Sequence, residues 1–401
     1  MKTLLAVVVS VAFAAMPFGA SGQTATADEV WQRVQDLIGE HFYDPERAKS
    51  FGELELSKSP TDEAIAEALA GLGASHTGRF EPDQIDYYEL LDIFRFAVPD
   101  DIKRLFPPDG QVTYPGIGLI AAQDAGRLFV SDVYDAGPAA QAGVRVGDEI
   151  VAVDGSPYSE IGSFTGKVGG KVTLILRRQE GAKPFEIQVD VVSIRPNAML
   201  AESVVASVRT IKHEDATIGY IHLWSFTSDA VQAAVSEALT GPLADADALV
   251  LDLRSRWGGA PPDAAEVFVG GTPELRSTLR DGTTMNANVR WRKPVVAIID
   301  RGTRSGLEVF AFALKRHGIP LVGETTAGAV LSGTVFMLPD DSLLEVAGGD
   351  ALVDGVVLEG VGVEPDVKVA FPLPFANGDD PQLDSALDVV VQELRAAPTA
   401  D

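Results

Sequence analysis

A serine stands where an apolar run gives way to an amphipathic helical pattern. In "DRGTRSGLEVFAFALKRHG", from Asp300 to Gly318, that serine is Ser305. Two chemistries suit it. With Glu308 three residues on, it matches a capping box, in which the hydroxyl accepts a backbone N–H of the first turn. It equally suits a nucleophile, because a helix start points N–H groups and the positive end of the dipole at a developing oxyanion. Spacing alone does not separate the two, and a nucleophile also needs a base.

Lysine is absent where a local Ser–Lys pair would need it: after Lys315 the next is Lys368, and "GETTAGAVLSGTV" contains none. Histidine is the other usual base, and the chain has five. His317 lies in the last turn of the helix that Ser305 opens, about 18 Å away by helical rise, where a cation suits the helix end. His222 lies inside an apolar strand pattern, His213 in a charged turn and His41 on the first helix. His76, in the polar turn "LGASHTGRF", suits either a solvated histidine or a general base.

The elements that must position these residues fall into three sections. From about 27 to 98 the pattern is mainly helical, with apolar spacing at Val30, Val34, Leu37 and Ile38, then "DEAIAEALAGLG" and "YYELLDIFRF". From Val112 to Pro196, short strands such as "RLFVSDVY", "DEIVAVDG" and "KVTLILRR" are parted by Gly/Pro turns around one short helical piece, "GPAAQAG". From about 201, apolar strands at "TIGYIHLWSF", "DALVLDLRS", "KPVVAIID" and "IPLVGET" alternate with helical patterns, including "PPDAAEVFVG". That alternation implies an α/β domain with largely parallel strands.

Charge narrows the partners. A formal net charge of −26 over 401 residues repels phosphates, which argues against nucleic acid or an anionic membrane surface. Residues 1–22 read as a secretory signal: Lys2, the apolar "LLAVVVSVAFAAM", and small residues at "ASG". A retained N-terminal anchor is the alternative. There are no cysteines, which leaves neither disulfides nor thiolate zinc sites. With no HExxH and no nucleotide-binding glycine loop, no metal and no organic cofactor is implied.

Several stretches, in order, make nearly the whole chain after residue 22 resemble the C-terminal-processing (tail-specific) serine protease family, particularly its tricorn-like branch. "ASHTG" resembles that branch's Ser-His pair, "GVRVGDEIVAVDG" a PDZ signature, "IGYIHLWSF" the first strand of the protease core, "LVLDLRSRWGG" the strand and glycine turn supplying half of an oxyanion hole, and "GTRSGLE" the nucleophile turn. "LVGETTAGA" resembles the segment that carries a lysine in the Ser–Lys branch, with Ala329 at or near its place. "LEGVGVEPD" resembles the closing motif, which matches Glu359 to a catalytic glutamate.

The resemblance implies Ser305 as nucleophile, His76 as base, Ser75 and Glu359 as supports of the imidazole, and the N–H groups of Gly306 and Gly258 as the oxyanion hole. It implies that "PGIGL", with Gly116, Ile117, Gly118 and Leu119, is a carboxylate-binding loop beside which a peptide adds a strand. Arg256 departs from the family pattern, standing where "DLR" is often followed by a glycine-and-asparagine turn. It is read as a surface arginine, with narrowing the site or pairing with a substrate carboxylate as the alternatives.

The expectation is an α+β multidomain protein. A signal at 1–22 precedes a helical N-terminal domain at 23–111 carrying Ser75 and His76, a PDZ-like β-rich domain at 112–197, and an α/β, crotonase-like protease core of ββα units at 198–401. The expected function is an exported serine endopeptidase, periplasmic or extracellular, acting on peptides or unfolded protein. A catalytically inactive peptide-binding scaffold and a non-peptide hydrolase are the rival readings.

Overall fold

The computed structural model describes residues 25–396 except 255, 272 and 288. The expected signal segment lies outside them. Among the described residues no helix is long and apolar enough to cross a membrane.

The C-terminal half is built on a six-stranded sheet. Its strands lie in the order Val367–Lys368, Leu321–Gly323, Val295–Ile299, Ala248–Asp252, Ala216–His222 and Arg209–His213. All are parallel except the last, which runs antiparallel to its neighbour. Ala248–Asp252 and Val295–Ile299 are buried at every residue, as parallel strands covered on both faces must be. Helices Pro196–Ser207, Asp229–Thr240 and Gly306–Arg316 pack on one face through residues such as Val204, Val235 and Phe310. Helix Pro381–Ala396 covers the other through Ala386, Leu387, Val390 and Val391. The pattern "PPDAAEVFVG" is helical only over Glu266–Val269.

The middle section forms a five-stranded antiparallel sheet in chain order: Leu119–Asp124, Arg127–Val133, Glu149–Val153, Lys171–Arg177 and Phe185–Asp190. A core of Val130, Phe164, Val172 and Leu174 lies beneath it. Leu119–Asp124 is an edge strand of that sheet.

The helical section opens at Ala27–His41, capped by Thr26 and Glu29 in a capping box. That helix buries the expected Val30, Val34, Leu37 and Ile38. It closes no core by itself. Its apolar face shares a cluster with Leu344 and Val346 of the hairpin Ser332–Met337 and Leu343–Gly349, and with Leu331 and Leu338, which flank the first strand; the sequence pattern does not mark this hairpin. The short strand Gly78–Phe80 then joins this hairpin as a third strand, with Gly78 opposite Glu345. Sheet pairing thus draws His76, two residues before that strand, to the C-terminal half.

Arg256 is not the surface arginine the sequence suggests. Its Nη2 donates to Glu89 Oε2 at 2.6 Å, its Nη1 reaches Asp86, and its guanidinium lies over the Trp257 ring. Both carboxylates are on helix Ile85–Ile93, so the arginine clamps that helix to the loop after strand Ala248–Asp252. Glu89 is 2% exposed and also accepts from Tyr134 Oη at 2.8 Å. Burial pushes its carboxyl up to about 7 even beside the guanidinium. The partner is 167 residues away in sequence, beyond the reach of any local pattern. Arg256→Ala strands Glu89 in the interior without its cation, at a cost of about 3–5 kcal/mol. Thermal denaturation reads this as a clearly lowered melting temperature; an unchanged one would refute the clamp.

Candidate active site

Asp300 follows strand Val295–Ile299, and its carboxylate accepts the N–H groups of Gly302 and Thr303 and shapes the turn. That turn delivers Ser305 with φ 55° and ψ −130°, a left-handed conformation costing a non-glycine residue about 1–3 kcal/mol. A capping box is present in outline. However, the Glu308 N–H donates to the Ser305 carbonyl at 2.9 Å, and the hydroxyl makes no capping hydrogen bond. The fixed groups at this turn are backbone ones: Ser305 N–H donates to the Ala329 carbonyl at 2.8 Å and to Glu308 Oε2 at 3.3 Å.

Glu308 does more than its place in a capping box predicts. It is fully buried. Its carboxylate accepts from Thr326 Oγ1 at 2.5 Å, Gly328 N–H at 2.8 Å and Ala329 N–H at 2.7 Å. One side chain therefore locks the Ser305 turn to the segment 326–329. The sequence signal was a lone carboxylate in the apolar helix "GLEVFAFALK".

His76 is buried, also with a positive φ of 53°. A network 284 residues apart in sequence holds it. Ser75 Oγ lies 3.0 Å from His76 Nδ1 and 2.9 Å from Glu359 Oε2, and the Ser75 N–H donates to Glu359 Oε1 at 2.9 Å. Val330 N–H gives Glu359 Oε2 another donor at 2.9 Å. The Ser75 hydroxyl has one hydrogen and Glu359 only accepts, so that hydrogen goes to Glu359. Ser75 Oγ must then accept from Nδ1–H, which leaves Nε2 of the neutral imidazole with its lone pair. Burial, and next the nearby Arg304 charge, pull the imidazole down to about 4, with Glu359 opposing.

Ser305 and His76 line one cavity of about 380 Å³, together with Gly258, Arg304, Val330 and Glu345. No hydrogen bond joins Ser305 Oγ to the imidazole among the described residues. No lysine lines the cavity, and the backbone of Ala329 is what meets the Ser305 turn. Gly258 has φ 67°, and a Cβ there would lie 2.1 Å from the Arg304 carbonyl oxygen and 2.8 Å from Ser305 Cβ. A Cβ on Gly306 would lie 2.4 Å from the Ala260 nitrogen. Only glycines let these two turns touch. Neither the Gly258 nor the Gly306 N–H donates to an acceptor among the described residues.

The other histidines have structural partners. His222 stacks on Trp224 and lies 2.7 Å from the Arg254 carbonyl. His213 is in strand Arg209–His213, not a turn, and contacts Asp388 at 2.7 Å. His317 is the C-cap of helix Gly306–Arg316, and His41 stacks on Phe336.

In the middle domain, Gly116 ends strand Tyr114–Gly116 and Leu119 begins the edge strand. Between them, the carbonyls of Ile117 and Gly118 accept from Ala139 and Tyr134. Gly118 has φ 76°, and a Cβ there would meet Gly137 Cα at 3.0 Å. Residues 116–119 are all buried, so the turn is packed into the domain, at the start of the edge strand Leu119–Asp124.

Residues 217–369 match peptidase family S41, and residues 129–178 match the PDZ domain. The chain is 26% identical to the carboxyl-terminal-processing peptidase 3, chloroplastic, of Arabidopsis thaliana, over 70% of this chain and 60% of that one. It is 26% identical to the carboxy-terminal processing protease CtpA of Bacillus subtilis (strain 168), over 72% and 64% respectively. It thus spans a little under two thirds of the length of these relatives. Among solved structures, mature CPAF superposes with a TM-score of 0.53 at 14% identity, covering 93% of this chain and 99% of that one. That likeness is one of fold.

Proposed function

Because residues 217–369 match peptidase family S41 and residues 129–178 match the PDZ domain, we propose that the chain is a serine endopeptidase working through an acyl-enzyme. The hydrogen-bonded series Glu359–Ser75–His76, ending in the cavity that Ser305 lines, carries this reading. Ser305 Oγ attacks the peptide carbonyl as His76 Nε2 takes its proton. His76 then gives that proton to the leaving amine, and water attacks the acyl-enzyme by the same route in reverse. Ser75 and Glu359 hold the ring in the Nδ1–H form and stabilise the imidazolium. The Gly258 and Gly306 N–H groups receive the oxyanion.

Peptides and unfolded proteins are the proposed substrates. Their C-terminal carboxylate would meet the turn of Gly116, Ile117, Gly118 and Leu119, with the chain adding to the edge strand Leu119–Asp124. The apolar, small-residue character of residues 1–22 supports export to the periplasm or outside the cell.

The test is hydrolysis of casein and of an uncharged fluorogenic peptide by the purified protein. The pH profile adds a specific outcome. A general base works when neutral, and His76 is held at about 4. For an uncharged substrate, kcat/KM should therefore rise tenfold per pH unit below about 4 and be level above it. A limb near the ordinary imidazole value of about 6.5 would contradict the environment assigned to His76.

A further inference from the structure

Glu345 has no place in that mechanism, yet it faces the same cavity. It lies in the apolar run "LLEVA" of strand Leu343–Gly349 and is 4% exposed. Its carboxyl makes no hydrogen bond or ion pair among the described residues. Buried carboxyls are ordinarily paired, because an unpartnered one forfeits its hydration. It is also close to the reacting groups: a Cβ placed on Gly333 would lie 2.9 Å from Glu345 Oε1 and 3.4 Å from His76 Cδ2. Carboxyl and imidazole flank one glycine.

Resting on the peptidase reading above, we propose that Glu345 is a specificity-determining residue, which makes the site prefer a lysine or arginine side chain on the residue whose carbonyl is attacked. Phe80, Leu90, Phe94, Trp257 and Val330 line the cavity and suit the aliphatic stem of such a side chain. Glu345 supplies the acceptor for its cationic head.

The other charged or titratable groups facing the cavity are His76, Asp86, Arg256 and Arg304. Arg256 is bound to Asp86 and Glu89; its charge offsets that of Asp86, which faces the cavity, and Glu89 does not line it. Arg304 opposes a substrate cation, but it is partly exposed and water screens it more than it screens the buried Glu345. Burial pushes Glu345 up to about 7, against the pull of Arg304, so the preference should strengthen as the carboxyl ionises.

The experiment compares the rates at which peptidyl diphenyl phosphonates bearing lysine, norleucine or glutamate side chains label Ser305 between pH 5.5 and 8.5, beside a small uncharged fluorophosphonate. The expected result is a lysine-over-norleucine ratio of at least about tenfold at high pH, shrinking below pH 6. In Glu345→Gln the ratio should be near one and independent of pH, while fluorophosphonate labelling persists and reports an intact site. Equal labelling in the wild type, preference for glutamate, or a ratio that survives in Glu345→Gln would overturn the proposal for Glu345 and leave the peptidase reading standing. Failure of every probe, the fluorophosphonate included, would overturn both.

Discussion

Ser305→Ala lowers kcat/KM for peptide hydrolysis by at least about 10⁴-fold while leaving the melting temperature nearly unchanged. The two halves of this expectation come from different observations. The hydroxyl approaches the Glu308 N–H in a capping box but makes no well-formed capping hydrogen bond, so its loss removes little structural contact, and alanine inherits the same φ of 55° with the same strain. What is lost is the attacking oxygen. His76→Ala should cost a similar factor, and the double mutant little more than either, because the two act as a unit. Additive losses, or a Ser305→Ala protein within tenfold of wild type, would be incompatible with a shared proton transfer. A marked fall in stability would return Ser305 to the role of a helix cap.

Gly258→Ala is the second large effect. The added methyl would fall 2.1 Å from the Arg304 carbonyl, at φ 67°. Backbone cannot yield as a flexible side chain can, so the turn must move and take its N–H away from the oxyanion position. The expected loss is about 10²–10³-fold in kcat, with a destabilisation of about 1–3 kcal/mol from the strained backbone. Gly126→Ala is the control. Its φ is 76° but nothing lies within 4 Å of the added carbon, so it should carry the backbone strain and keep full activity. Equal activity of the two variants would show that the close approach to Ser305 is not needed.

The α/β core was legible because fully buried parallel strands are written as near-continuous apolar runs, as in "ALVL" and "VVAII". The first helix was legible because its capping box and apolar spacing are local. The site was legible only in part. Ser305 announces itself by its place at a helix start, but the sequence could not decide cap from nucleophile, since a hydroxyl's hydrogen bonds depend on backbone dihedrals that spacing does not encode. The grouping of Ser75, His76 and Glu359 spans 284 residues, and only resemblance to a family brought those residues into one list.

Arg256 was misread as a surface residue, and Glu345 went unread, for a related reason. The first is held by a helix 167 residues earlier. The second belongs to the hairpin Ser332–Met337 and Leu343–Gly349, whose partners are the N-terminal helices and the strand Gly78–Phe80. Long-range packing of this kind leaves one trace in sequence, a lone carboxylate among apolar residues. "GLEVFAFALK" and "LLEVA" both show it.

The central claim is that Ser305 is a nucleophile served by His76. Its most direct measurement is fluorophosphonate labelling of the purified protein, with the adduct located by mass spectrometry, in wild type, Ser305→Ala and His76→Ala. A single adduct on Ser305, absent from the first variant and slowed by orders of magnitude in the second, is the predicted result. No adduct on folded wild-type protein with or without added C-terminal peptides, or an adduct on Ser305 formed equally fast without His76, would contradict it.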